Sequence, residues 1–221
     1  MADRWRRVAA AVGLAVVAAA CGGGGEPEPG SGVAATENRN VGEFERVRLD
    51  GVAAIEVTIG SPSTFSVTAD DNLIGEVETE VEDGRLTVRS PSGWAPQTPV
   101  LVEATVAALD EVQVDGAGRI TVDGLDAEEL SITVDGTGSV AASGEADALE
   151  AELDGDGVLR LAGLVVGRAD VRISGAGTAD VTVEDQLKAR VDGEGVITYR
   201  GEPELDAKVT GAGEVRRAPA G

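Results

Sequence analysis

From residue 47 onward, apolar and polar residues alternate in short runs, and glycine interrupts each run. Leu149-Glu150-Ala151-Glu152-Leu153 leads into Asp154-Gly155-Asp156-Gly157, and Leu159-Arg160-Leu161 follows. Leu187-Lys188-Ala189-Arg190-Val191 and Ile197-Thr198-Tyr199 flank Asp192-Gly193-Glu194-Gly195 in the same way. A period of two with one apolar face predicts short, half-buried strands on either side of a glycine turn. The turn begins at Asp115, Asp135, Asp154, Ser174, Asp192 and Thr210, with spacings of 20, 19, 20, 18 and 18 residues. A near-constant period of this kind is the signature of a repeat architecture.

Hairpins packed into a sandwich and a coiling solenoid both suit this unit, since Asp-Gly also favours hairpin turns. The columns decide between them. Aligned on the turn, the apolar positions read Val114, Val134, Leu153, Ile173, Val191, Val209 and Val112, Ile132, Ala151, Val171, Ala189, Ala207. Each column keeps one character through every repeat, as stacked, equivalent strands require. Stacking also sets Glu152 beside Arg172, and Lys188 between Asp170 and Asp206. The expected fold is all-β, a parallel β-helix of about nine rungs, with 18–20 residues per regular rung. That rung count extends the repeat backwards. Val47–Gly51 followed by Ala53–Ile59 is a degenerate copy without its second glycine, and Phe65–Val67, Val77–Val81 and Leu86–Val88 are further alternating segments. The 65 residues from Asp50 to Asp115 are read as about three turns with a loop. Residues 36–48 are expected to cap one end, and the end at Val215–Pro219 has little to cover it.

The first residues follow a different rule. Arg4, Arg6 and Arg7 precede an apolar run from Val8 to Ala20. As a helix it reaches roughly 20 Å, short of a bilayer core of about 30 Å. It ends in Ala18-Ala19-Ala20-Cys21, and small residues mark a signal cleavage site. Here the residue after the cut is the only cysteine, followed by Gly22–Gly25. The arrangement resembles a bacterial lipoprotein lipobox, with Ala18 where leucine is usual. The resemblance implies a signal peptide over 1–20, lipidation at Cys21, and an extracytoplasmic body anchored to the cell membrane or outer membrane. Residues 21–41 are read as the lipidated cysteine and a flexible Gly/Pro/Glu tether, and 42–217 as the β-helix domain.

Composition then removes whole classes of function. The chain of 221 residues has 18 basic and 40 acidic side chains, a net charge of −22, which argues against a nucleic-acid partner. Without residues 1–20 the net charge is −24, so anionic headgroups repel the body and lipid alone holds it to a membrane. There is no histidine, the commonest general base and metal ligand. One cysteine excludes an intramolecular disulfide, and no Cys/His zinc site has its ligands.

With the lipobox-like cysteine, the opening Phe44-Glu45-Arg46-Val47-Arg48-Leu49-Asp50-Gly51 and the serial glycine turns, the chain resembles the auto-transporter adhesin head (GIN) domain family over about residues 42–216. The resemblance implies a right-handed β-helix in the cell envelope and no catalytic residues.

The turns pose one chemical question. Asp115, Asp135, Asp154 and Asp192 stack in one column with Asp156 nearby, and oxygen ligands in glycine-rich turns suit Ca²⁺. The column also holds Ser174 and Thr210, however, which share with aspartate a side-chain oxygen and not a charge. The expectation is therefore structural: each accepts a backbone N–H two residues on, and no cofactor is required. Polysaccharide cleavage by carboxylates and arginine would draw on Asp154, Asp156 and Arg160, but the aromatic platforms of sugar clefts are scarce here. Trp94 lies in the proline-rich loop 90–99, either packed on the helix or exposed as a partner anchor. The reading is a non-enzymatic, lipid-anchored, adhesin-like binding or scaffolding module. Its partner would be an envelope protein or glycan, with self-association through the β-helix ends. The alternative is a calcium-dependent carbohydrate-binding or carbohydrate-cleaving envelope protein.

Overall fold

Alternating strands on either side of a bare glycine turn can coil only if each turn lies directly over the one before. A computed structural model, describing residues 27–90 and 93–219, has this arrangement. The chain opens with β1 (Glu28–Pro29) and β2 (Ala34–Asn38), then makes a first rung from β3 (Arg46–Gly51) and β4 (Ala54–Ile59). An excursion follows through β5 (Thr64–Asp70), a 3-10 turn at Ile74–Glu76, β6 (Glu78–Glu82), β7 (Arg85–Arg89), β8 (Trp94–Ala95) and β9 (Leu101–Val106). The regular part is β10 (Glu111–Gly116), β11 (Arg119–Gly136), β12 (Ser139–Gly155), β13 (Val158–Gly175), β14 (Thr178–Gly193), β15 (Val196–Arg200), β16 (Glu204–Gly211) and β17 (Glu214–Arg217).

The long strands β11 to β14 each supply two sides of a rung and bend where the register shifts, as between Val122 and Leu125 or Ala141 and Ser143. All pairings in this part are parallel, and along the segments that lead into each turn they run without a shift. Val114, Val134, Leu153, Ile173, Val191 and Val209 lie opposite one another in sequence order, as do Val112, Ile132, Ala151, Val171, Ala189 and Ala207. These columns point inward, and from Val112 to Val191 they are buried. The fold is an all-β parallel solenoid, as the alternation predicts.

The nine-rung expectation does not hold: the regular solenoid makes about five turns, from the Asp115 turn to the Thr210 turn. The reason lies in residues 60–109. β3 pairs directly with β10, setting Asp50 opposite Asp115 and Gly51 opposite Gly116. The intervening residues are therefore not rungs between them. They fold back outside the first rung, with β7 on β3 and β9 on β4. Antiparallel strands then end the stack, β6 on β7, β5 on β9 and β2 on β5. The reversal from β6 to β7 runs through Asp83-Gly84, both at positive φ, the conformation of a tight two-residue hairpin turn. Parallel growth stops there, and the outermost strand carries Glu78, Glu80 and Glu82, charges that discourage further pairing.

The described part of the expected tether is structured from Glu28 onward. β1 pairs with β8, and β2 is an edge strand of the cap. Asp71, Asn72 and Gln97 bind the segment between them: the Gln97 side chain donates to Gly30 O at 2.6 Å and Asn72 to Pro29 O at 3.1 Å. Phe44 packs edge-on against Phe65, ring centres 6.4 Å apart, closing the core at this end. Residues 1–20, Cys21 and Gly22–Gly25, on which the signal, lipidation and first tether readings rest, lie outside the described residues.

Candidate binding faces

The solenoid turns its functional side chains outward in columns. On the strands preceding the turn, one column reads Arg48, Gln113, Thr133, Glu152, Arg172, Arg190, Lys208. A second reads Arg46, Glu111, Ser131, Glu150, Asp170, Lys188, Asp206. Register therefore places Glu152 beside Arg172 and Lys188 between Asp170 and Asp206, as the alignment requires. Around Arg172 the ion pairs run diagonally between strands and along its own strand. Arg172 meets Glu150 and Asp170, each at 2.8 Å, and Arg190 meets Asp170 at 3.3 Å. The hydrogen bond that Arg172 donates to Glu150 and the charge of Asp170 raise the Arg172 pKa, so this guanidinium is always charged. These pairs are solvated and add little stability. What they do is fix a patterned charged face. The strands following the turn carry a milder face, with Thr121, Ser139, Ala141, Val158, Thr178, Val196 and Thr198 among scattered charges.

The turn residues form a third column of Asp50, Asp115, Asp135, Asp154, Ser174, Asp192 and Thr210. The backbone N–H groups two residues on from Asp115, Asp135, Asp154, Ser174 and Asp192, expected to donate to those side chains, donate instead to carbonyls of the preceding rung. Thr137 N–H donates to Gly116 O at 3.0 Å, Asp156 N–H to Gly136 O at 3.0 Å, and Glu194 N–H to Gly175 O at 2.8 Å. Stacking itself satisfies the turn backbone, and the aspartates face solvent. Arg48 lies 2.7 Å from Asp115, relieving the column near its start. Both glycines are required. Gly136 has φ +112, and a Cβ there would meet Gly116 O at 2.7 Å. A Cβ on Gly138 would meet Val114 Cγ1 of the previous rung at 2.5 Å.

As for calcium, no three carboxylates converge as ion ligands among the described residues, Asp115, Asp135, Asp154, Asp156 and Asp192 included. Nor are Asp154, Asp156 and Arg160 gathered into a cleft: all three are exposed, and Asp154 and Arg160 lie on strands to either side of the turn. Trp94 is half-buried against the core, and its indole N–H donates to Glu76 at 3.2 Å. Its place in the structure is that of a packed side chain in β8.

Sequence reasoning missed one residue. Asp70 is the only buried ionisable side chain among the described residues. It accepts N–H bonds from Gly32 at 2.8 Å, Gln97 at 2.8 Å and Thr98 at 3.1 Å. Burial alone would push its carboxyl up, but the bonds from Thr98, Gln97 and Gly32 outweigh it and hold the pKa below its ordinary value. Its partners are distant in sequence, so Thr68-Ala69-Asp70-Asp71-Asn72 reads as no more than the end of a strand.

A family model described as "Putative auto-transporter adhesin, head GIN domain" matches residues 43–203. No curated protein matches the chain. Among solved structures, a putative adhesin from Bacteroides fragilis is similar with a TM-score of 0.70 at 19% identity, covering 86% of this chain and 99% of its own. A putative adhesin from Parabacteroides distasonis gives 0.57 at 24% identity, and a putative lipid binding protein from the same species 0.55 at 19%. Both cover 86% of this chain and 99% of their own. At these identities the likeness is one of fold.

Proposed function

The chain belongs to the auto-transporter adhesin head GIN domain family, and from that premise we propose that it is a non-catalytic, adhesin-like binding or scaffolding module of the cell envelope, held to its membrane by lipid on Cys21. The observation that carries the reading is where its polar chemistry lies. Among the described residues the one buried ionisable group, Asp70, is occupied by backbone N–H groups, while the charged side chains of the stacked strands stand outside, in register, on faces of a rod. Such an object recognises by its surface. A flat, charge-patterned face suits a protein or glycan partner through many weak contacts in place of one deep pocket.

The anchor reading rests on the run Val8–Ala20 and the small residues before Cys21. It has a geometric consequence, because the N-terminal strap, the segment Glu28–Asn38 that carries β1 and β2, is docked from Glu28 onward. The six residues between Cys21 and β1 reach at most about 25 Å. The capped end of the solenoid then lies near the bilayer, and the last rungs point away from it. The acidic surface works in the same direction, disfavouring contact with anionic headgroups.

The test is fatty-acid labelling of cells that make the chain or its Cys21→Ser variant, followed by fractionation and a surface-attachment assay. The proposal predicts a labelled, membrane-bound, surface-accessible protein that promotes attachment, with label and membrane association lost in the variant. Equal labelling of both, or a cytoplasmic protein, would refute it.

A further inference from the structure

The two ends of the solenoid are finished differently. At the first, antiparallel β2, β5 and β6 close the stack. At the other, β16 pairs only with β14 among the described residues, and its outer edge carries no strand. Its inward side chains continue the core columns but are uncovered. Leu205 and Val209 are 41% and 42% exposed, whereas Leu187 and Val191, directly beneath them, are at 0% and 2%. β16 has no proline, and its edge lacks the acidic row that protects β6. Its outward row carries Glu204, Asp206 and Lys208, of both signs, and an unpaired edge with an uncovered apolar face is a template for another strand.

We propose that the occupant is a second copy of this chain, joined end to end through antiparallel pairing of β16 with itself about Ala207. The sequence of β16 is complementary to its own reverse. Centred on Ala207, the pairing sets Asp206 opposite Lys208 of the second copy, twice by symmetry. Leu205 meets Val209 on the core side, also twice, and Ala207 meets its own mate. Centring on Asp206 instead brings the two Asp206 carboxylates together, and centring on Lys208 does the same with two ammonium groups. A shift of one residue turns the charged face against the core face. One register therefore satisfies both charge and burial, and it is the self-complementary kind that a two-fold dimer uses. In such a dimer the exposed Leu205 and Val209 complete a core running through both rods, and the two capped ends face outward.

The experiment is oxidative crosslinking of Ala207→Cys in the full chain with Cys21→Ser, beside Thr210→Cys as control. Residues opposite one another in an antiparallel pair sit about 4.5–5.5 Å apart at Cα, within disulfide range. In the Ala207 register, two copies of residue 210 are roughly 20 Å apart. The proposal predicts a covalent dimer for Ala207→Cys and monomer for Thr210→Cys. Equal crosslinking at both, or none at 207, overturns it. Sedimentation of charge variants gives a second reading that does not depend on cysteine. Lys208→Glu should weaken dimerisation by about tenfold by facing Asp206 with a like charge, and adding Asp206→Lys should restore it. A chain that is monomeric throughout, or a double variant no better than the single one, overturns the pairing.

Discussion

The substitution Gly136→Ala tests whether the solenoid is built on glycine for conformation alone or also for the closeness of its rungs. Gly136 has φ +112, and an added Cβ would lie 2.7 Å from Gly116 O and 3.4 Å from the Gly116 Cα and carbonyl carbon. Two costs follow. Holding alanine at positive φ costs about 1–3 kcal/mol. Relieving the clash parts the rungs by about half an ångström, weakening the Thr137 N–H bond to Gly116 O, worth about 1 kcal/mol, and its stacked neighbours. The total is about 4 kcal/mol, a large share of a typical stability of 5–15 kcal/mol. Two controls separate the costs. Gly124 has φ +79 but its nearest neighbour to an added Cβ is 3.8 Å away, so alanine there meets the conformational cost only, about 1–2 kcal/mol. Gly75 meets nothing within 4 Å and has no positive φ, so its replacement is close to neutral. At about 2–4 °C per kcal/mol for a chain of this size, thermal melts followed by circular dichroism should fall by roughly 8–16 °C for Gly136→Ala and about 2–8 °C for Gly124→Ala, with Gly75→Ala unmoved. If Gly136→Ala costs no more than Gly124→Ala, close stacking of the turns is not what requires the glycine.

Further outcomes follow from other parts of the structure. Ile173→Ala, in the buried middle of its column, should cost about 2–5 kcal/mol, whereas Val209→Ala in the same column should cost the isolated chain under 1 kcal/mol; urea melts compare them. The Asp70 carboxyl has a folded pKa below its unfolded one, so its contribution is full above the unfolded value near 3.8 and is lost as pH falls through the folded value. Asp70→Asn should therefore lower stability at neutral pH and flatten the loss between pH 4 and more acid conditions, with unchanged melts as the contrary result. Excess Ca²⁺ should leave the melting temperature where EDTA leaves it, since the turn backbone bonds between rungs and the aspartates face solvent; a saturable rise with Ca²⁺ and not Mg²⁺ would show that the column recruits the ion. Trp94→Phe should cost about 1 kcal/mol or less, because it forfeits one exposed hydrogen bond to Glu76 and keeps the packing.

The regular repeats were legible because each residue's fate there depends on its own side chain and a fixed offset. Val114 predicts Val134 and Leu153 because the same backbone geometry recurs every 18–20 residues. The cap was illegible for the opposite reason. Alternation in Phe65–Val67 or Val77–Val81 signals a strand but not its direction, so antiparallel strands read as rungs and the expected count comes to nine. The signal that would have corrected it was present. Arg46-Val47-Arg48-Leu49-Asp50-Gly51 has the pattern of Glu111-Val112-Gln113-Val114-Asp115-Gly116, which marks them as neighbours with the intervening residues looped out. Asp70 and the strap it holds depend on partners 28 and 38 residues away, and a glycine- and proline-rich segment looks like tether whether or not something captures it. The binding faces were half legible: their columns follow from register, but the diagonal pairing around Arg172 needed coordinates.

The central claim is an unbroken parallel stack from the first rung to the last, and a distance between its two ends tests it most directly. Glu56, Thr121, Ala141, Arg160, Asp180 and Thr198 follow one another at the same outward position of successive rungs. Residues 56 and 198 are distant in sequence yet five strand spacings apart, about 24 Å at 4.8 Å per step. Spin labels at Glu56→Cys and Thr198→Cys, with Cys21→Ser, should give one narrow distance distribution near that value by pulsed electron resonance, allowing for the label arms. A broad distribution, or a distance far from it, would contradict the stack and with it the surface on which the proposed function depends.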